Sequence, residues 1–102
     1  MTPATTHVGN TPLITYTFLD ENGAIVDLTS WTTRELVLTA PDGTVAAVTL
    51  TVAAPTSGVG TYQCLTTTFT QAGDWILQGE LLKAGGRLDA DVETLKVLPN
   101  LR

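Results

Sequence analysis

The sequence has little of what metal sites and nucleophilic enzymes are built from. Its 102 residues include one cysteine, Cys64, and one histidine, His7. A single cysteine cannot form an internal disulfide, and no cluster of Cys and His has the spacing of a zinc site. General base catalysis needs a partner within hydrogen-bond reach, and no serine, cysteine or acid stands beside His7. We therefore expect a non-enzymatic protein without a cofactor, in which Cys64 is a buried small hydrophobe.

Basic residues and long apolar runs are also scarce. Five Lys and Arg face ten Asp and Glu, which gives a net charge of −5. Sequence-independent binding to nucleic acid needs a basic surface, and the few basic residues form no patch. No apolar run approaches the length of a membrane span, and the first residues lack the basic head and apolar stretch of a signal peptide. We expect a soluble product made in the cytoplasm, with no nucleic acid or membrane partner.

Threonine is the commonest residue, and threonine, valine and the aromatic residues favour β-strands. Strict alternation predicts strands over 13–19 and 74–82. The side chains expected on their inner faces are Ile14, Tyr16, Phe18, Trp75, Leu77, Gly79 and Leu81. Helix signals are poor throughout, so the chain is expected to be all-β.

Short polar turns separate these strands from others. Asp20-Glu21-Asn22-Gly23 and Pro41-Asp42-Gly43-Thr44 each place glycine where a tight hairpin needs a positive φ angle. The pair Gly85-Gly86 forms a third turn. Between and after the turns, the pattern predicts strands over 24–28, 35–40, 45–52, 59–65 and 87–98, with a polar crossover at 66–73.

The last strand changes its pattern part of the way along. Leu88, Ala90 and Val92 alternate with acidic residues, whereas Leu95 and Val97 have the opposite parity. A β-bulge near Thr94 would bring both sets of apolar side chains to the same face.

Strands of this number and spacing predict an immunoglobulin-like antiparallel β-sandwich of about seven to eight strands. Residues 13–102 would form the sandwich, and residues 1–12 an extended N-terminal arm. Trp31 is expected at a corner, where its ring closes one end of the core.

Three carboxylates, Asp89, Asp91 and Glu93, alternate along the last strand and are weak candidates for a metal site. Calcium sites usually take their ligands from loops that wrap the ion. A solvated acidic face that discourages edge pairing is the favoured interpretation, and no metal is expected.

The order of the turn motifs resembles the N-terminal domain of phage baseplate upper proteins. The segments that carry the resemblance are 16–23, 26–29, 40–44, 60–62 and 72–75, which contain the Asp-x-x-Gly turn, the Val-Asp-Leu-Thr step, the Pro-Asp-Gly hairpin and the late Ala-Gly-aromatic strand. The resemblance implies a structural protein of a tailed-phage virion, an immunoglobulin-like module in the baseplate, tail or neck that attaches fibre or receptor-binding components. It implies no catalytic residues. Its partners would be other virion proteins, with many copies or a homo-oligomer in each particle.

The N-terminal arm is the predicted partner-binding segment, because an extended strand can add to a neighbour's sheet through main-chain hydrogen bonds. Its candidate residues are Thr5, Thr6, His7, Val8 and Asn10. Two alternatives remain open, a capsid decoration protein and a carbohydrate or cell-surface binding module. The second would need exposed aromatic rings, for which Trp31 and Trp75 are the candidates.

Overall fold

The computed structural model describes residues 5–99, and this part of the chain is all-β. It forms seven strands and one short 3₁₀ turn, Pro55–Ser57. The strands are β1 (Thr5–His7), β2 (Leu13–Thr17), β3 (Thr33–Thr39), β4 (Val45–Thr49), β5 (Val59–Gln63), β6 (Gly73–Lys83) and β7 (Gly86–Leu98). No helix in residues 5–99 is long and apolar enough to cross a membrane.

Two sheets enclose the core. The larger one has the order β1-β7-β6-β3-β4, and it is mixed because β1 runs parallel to β7 whereas its other pairs are antiparallel. The smaller sheet is the antiparallel pair of β2 and β5. A bridge between Thr51 and Thr61 links the chain leaving β4 to β5, so the larger sheet curls toward the smaller one.

The alternation predicted for β2 and β6 is confirmed. All seven residues predicted on their inner faces, including Gly79, are buried. Leu36 and Leu38 of β3 are buried with them. The rest of the buried core includes Leu28, Ala40, Leu50, Cys64, Phe69, Ala90, Leu95 and Val97. Cys64 is 1% exposed, and burial raises the pKa of its thiol to about 11, as expected of a structural cysteine.

The segment 24–28, predicted as a strand, is irregular. Its only ladder contact is the bridge between Ile25 and Leu19. Farther along, Leu28 N–H donates to the carbonyl of Pro55 at 2.9 Å, which draws the chain away from a hairpin partner. The turn itself forms as predicted, with Gly23 at φ +79°.

Arg34 holds the corner around Trp31. Its guanidinium donates to the carbonyl oxygens of Trp31 and Leu28 at 3.1 and 2.9 Å. Trp31 is half-buried against the core, and Lys83 Nζ lies 4.5 Å from its ring centroid. The residue therefore closes one end of the core, as the sequence predicts.

The bulge in β7 lies earlier than predicted. Val92 pairs with Gln78 and Asp89 with Glu80, so Ala90 and Asp91 together oppose Gly79 alone. The face of β7 therefore changes at Ala90–Asp91 rather than near Thr94, and Val92, predicted to be inward, is 55% exposed.

Candidate assembly interface

The strand β1 lies at one edge of the larger sheet and contains three of the five predicted partner-binding residues. Thr5, Thr6 and His7 pair with Lys96, Val97 and Leu98 of β7. The arm thus adds a strand to the sheet of its own chain, and the side of β1 turned away from β7 pairs with no other strand among residues 5–99.

Main-chain directions in β1 follow from one hydrogen bond. Val8 N–H donates to the carbonyl of Leu98 at 3.0 Å. Because successive residues of a strand direct their main-chain groups to opposite edges, Thr6 and Val8 turn toward β7. The N–H groups of Thr5 and His7 consequently point away from the sheet, where an added strand would meet them.

The side chains of the arm divide in the same way. Thr6 is buried and Val8 packs against the core, whereas Thr5, His7 and Asn10 are exposed. The inward pair fixes the arm to the domain, and the outward three are available to a partner.

The acidic residues of β7 do not form one row. Beyond the bulge, Glu93 has the parity of the buried Leu95, whereas Asp89 lies on the outer face beside Arg87. Arg87 Nε lies 3.3 Å from the Asp89 carboxylate and its Nη2 lies 3.1 Å from Glu80 Oε2. Within residues 5–99, no three His, Cys, Asp or Glu side chains are grouped to hold a metal ion.

Asp91 has a structural contact through its main chain. Its carbonyl accepts a hydrogen bond from the Tyr16 hydroxyl, which reaches across from β2. Burial raises the pKa of Tyr16, and the negative charges of Glu93 and Asp91 raise it further. The hydroxyl therefore remains protonated as a donor well above neutral pH.

The two tryptophans offer no stacking platform. Trp75 is 5% exposed, meets Phe69 edge-on at a centroid distance of 5.0 Å, and donates its indole N–H to the carbonyl of Gln71 at 3.0 Å. Trp31 lies half-buried with Lys83 over its ring. A flat sugar-binding face would need these rings to be open to solvent.

A second edge, β4, was missed in the sequence interpretation. It borders an apolar cleft of about 300 Å³ between β3, β4 and the segment 62–71. The sequence does contain a signal for this edge, because no charged residue and no histidine occurs between Asp42 and Asp74.

No protein-family model matches this chain, and a comparison with curated proteins finds no match either.

Proposed function

We propose that this chain is a non-enzymatic structural protein of a tailed-phage virion, a docking module of the baseplate, tail or neck that attaches fibre or receptor-binding components. The observation that carries the proposal is the role of the motifs behind the resemblance. Asp20 accepts hydrogen bonds from the N–H groups of Asn22 and Ala24 at 2.8 and 3.0 Å, and Asp42 accepts one from Thr44 at 2.9 Å. The motifs thus form turns of the framework, as a resemblance in fold requires.

The proposed architecture is immunoglobulin-like. Its support is the arrangement of two β-sheets whose inner faces share one core, with Tyr16 of the smaller sheet and Phe18, just after it, packed on Gly79 of the larger. Such a module is rigid and compact, which suits a protein that is repeated around a particle.

In this proposal the outer edge of β1 receives a strand of another virion protein. Exposed main-chain N–H groups at Thr5 and His7 would supply hydrogen bonds, and the exposed side chains of Thr5, His7 and Asn10 would supply specificity. The buried Thr6 and the partly buried Val8 keep the strand in place before the partner arrives.

The direct test is the protein composition of purified particles made from the phage genome that encodes this chain. Mass spectrometry should find the chain at a stoichiometry above one copy, and cryo-microscopy should place it at the tail, neck or baseplate. Particles that are complete and infectious without the chain would overturn the proposal.

Proline substitution tests the edge itself. His7→Pro removes an N–H that points away from the sheet, and proline is tolerated at such edge positions. We expect fewer copies per particle with the melting temperature of the isolated chain changed by only a few degrees. Thr6→Pro is the matched contrast, because it removes an N–H that faces β7 and should lower the melting temperature as well. Deleting the arm would be less informative, since it also removes the packing of Val8.

If the His7→Pro chain is incorporated normally, docking uses another surface. The virion proposal itself is tested separately, by the protein composition of the particle.

A further inference from the structure

The surface formed by the segment between Asp42 and Asp74, called the uncharged side below, carries no charged side chain. The segment between Asp42 and Asp74 contains β4, β5 and the crossover to β6, and its only polar side chains are neutral. These elements meet around the apolar cleft, into which β4 turns Ala46 and Val48. Leu65, on the opposite wall, is 59% exposed. Depletion of charge around exposed apolar side chains is typical of the centre of a protein interface.

Among residues 5–99, the outer edge of β4 pairs with no other strand of a sheet. Ala40 N–H donates to Thr44 O at 2.8 Å and Leu50 N–H donates to Arg34 O at 2.9 Å, which places the even-numbered residues of β4 in the ladder with β3. The odd-numbered residues therefore direct their N–H and C=O groups outward. They are Val45, Ala47 and Thr49. The next odd residue, Thr51, uses the same edge to bond Thr61 of β5 at 2.8 and 2.9 Å, which shows that this edge forms ladder bonds.

Nothing in β4 protects this edge. Natural edge strands are commonly blocked by lysine, proline, a bulge or an inward-pointing charge. The sequence Val45-Ala46-Ala47-Val48-Thr49 has none of these, and Val45 is 61% exposed.

We propose that β4 pairs antiparallel with β4 of a second copy of this chain, about a two-fold axis at Ala47. The two larger sheets would then join into one, with Val45 of each copy opposite Thr49 of the other and Ala46 opposite Val48. This inference stands independently of the proposed virion role.

The charges favour the uncharged side as the place of contact between two copies. Each chain carries a net charge of −5, so two copies repel one another over most of their surfaces. The uncharged side is where they can approach without placing like charges together. Glu35, opposite Thr49 in the ladder, and Asp42, in the turn before β4, lie at the two ends of the strand, where they form the rim of the contact.

The sequence of β4 is also suited to pairing with itself. Alanine lies at the axis and next to it, so no large side chain meets its own copy there. Standard interfaces bury about 800 Å² on each partner. Pairing of one short strand covers less than this, so we expect a dissociation constant in the micromolar range, on the order of 10 μM.

Sedimentation equilibrium of the 102-residue chain from about 1 to 300 μM tests the proposal. We expect a reversible transition from the 10.8 kDa monomer to a dimer. Hydrogen exchange read residue by residue should slow at the amides of Val45, Ala47 and Thr49 as concentration rises, whereas the already bonded amides of the β3–β4 ladder should change less.

A charged side chain at the two-fold axis tests the proposed pairing specifically. Ala47→Lys places two lysines opposite each other and should raise the dissociation constant at least about tenfold, because like charges juxtaposed in an interface are strongly unfavourable. Ala47→Asp should do the same. A mixture of the two variants should dimerise again, since each lysine then faces an aspartate. This rescue cannot arise from misfolded protein.

Val92→Lys is the matched control, because Val92 is an exposed valine on a strand outside the uncharged side. It should leave the dissociation constant within about twofold of the original. A monomer at every concentration would overturn the proposal, and so would a dimer that Ala47→Lys does not weaken or that the mixed variants do not restore.

Discussion

Gly79 shows how one residue positions the aromatic centre of the core. It lies on the inner face of β6, opposite the two bulged residues of β7. A Cβ atom at this position would lie 2.9 Å from Tyr16 Cζ and would also overlap the ring of Phe18. The two rings meet at 68° with their centroids 4.9 Å apart, so neither can move aside without disturbing the other.

We therefore predict that Gly79→Ala lowers the free energy of unfolding by about 1–3 kcal/mol, the usual cost of overpacking a core. Urea denaturation followed by tryptophan fluorescence would measure it. Gly86→Ala is the control, since the three atoms nearest a Cβ there all belong to the flexible Lys83 side chain, at 3.0 Å and beyond. Equal effects of the two substitutions would show that Gly79 is not a packing requirement.

The buried thiol of Cys64 should make the free energy of unfolding depend on pH in alkaline solution. The pKa of its thiol is about 11 in the folded chain, above the ordinary cysteine value of 9.0, because burial disfavours the thiolate. The unfolded chain therefore loses this proton first as the pH rises. Stability is fully present below pH 9 and falls by up to about 1.4 kcal/mol per pH unit between pH 9 and 11.

Denaturation curves at pH 8, 9 and 10 would measure this slope, and Cys64→Ala should reduce it. Tyr16, whose pKa is also raised by burial, contributes in the same direction at higher pH, so Tyr16→Phe should flatten the upper part of the curve. An unchanged slope in Cys64→Ala would contradict the assignment.

At the scale of the elements, local patterns were sufficient where a strand has one buried face. The alternation along β2 and β6 gives their inner residues directly, and the turn at 41–44 gives the β3–β4 hairpin with its register. In such strands burial and period agree, so the sequence alone identifies both the strand and its inward side.

The bulge in β7 could not be located in the same way. The parity of apolar residues changes between Ala90 and Leu95, and any position in that interval satisfies the pattern. The position is set by Gly79 and Tyr16, which come from two other strands. The error had a consequence for the candidate site, since it kept Asp89 and Glu93 on one face when the bulge separates them.

Long-range pairing accounts for the other differences. The parallel pairing of β1 with β7 joins residues from the two ends of the chain and has no local signature. Phe69, within a run of threonines, is fully buried against Trp75, although its neighbours predict a polar crossover. For the candidate interface, the sequence predicted an arm that adds to a neighbour's sheet, whereas in the structure β1 pairs with β7 of its own chain. This pairing divides the residues of the arm into inward and outward sets.

At the scale of the whole molecule, charge is distributed unevenly. All ionisable acids and bases other than the Tyr62 hydroxyl and the Cys64 thiol lie outside the segment between Asp42 and Asp74. A cleft of about 380 Å³ between the turn at 20–22 and β7 gathers several of the acids, including Asp20, Glu21 and Asp89. Among residues 5–99, charged side chains thus gather around this cleft, whereas the segment between Asp42 and Asp74 has none and contains the outer edge of β4.

This asymmetry predicts an unusual response of the dimer to salt. If two chains of charge −5 associate through an uncharged contact, the opposing electrostatic term is repulsion between their acidic residues. Raising the ionic strength from about 0.01 to 0.15 M shortens the Debye length from about 30 to 8 Å and screens that repulsion. The dissociation constant should therefore fall as salt is added, whereas an interface built on ion pairs would weaken.

The double variant Glu21→Gln, Asp91→Asn removes two exposed negative charges outside the uncharged side and should tighten the dimer at low salt while flattening its salt dependence. Sedimentation equilibrium at the two salt concentrations measures both effects, and a dimer that weakens with salt would place charged groups in the contact, against the pairing at β4.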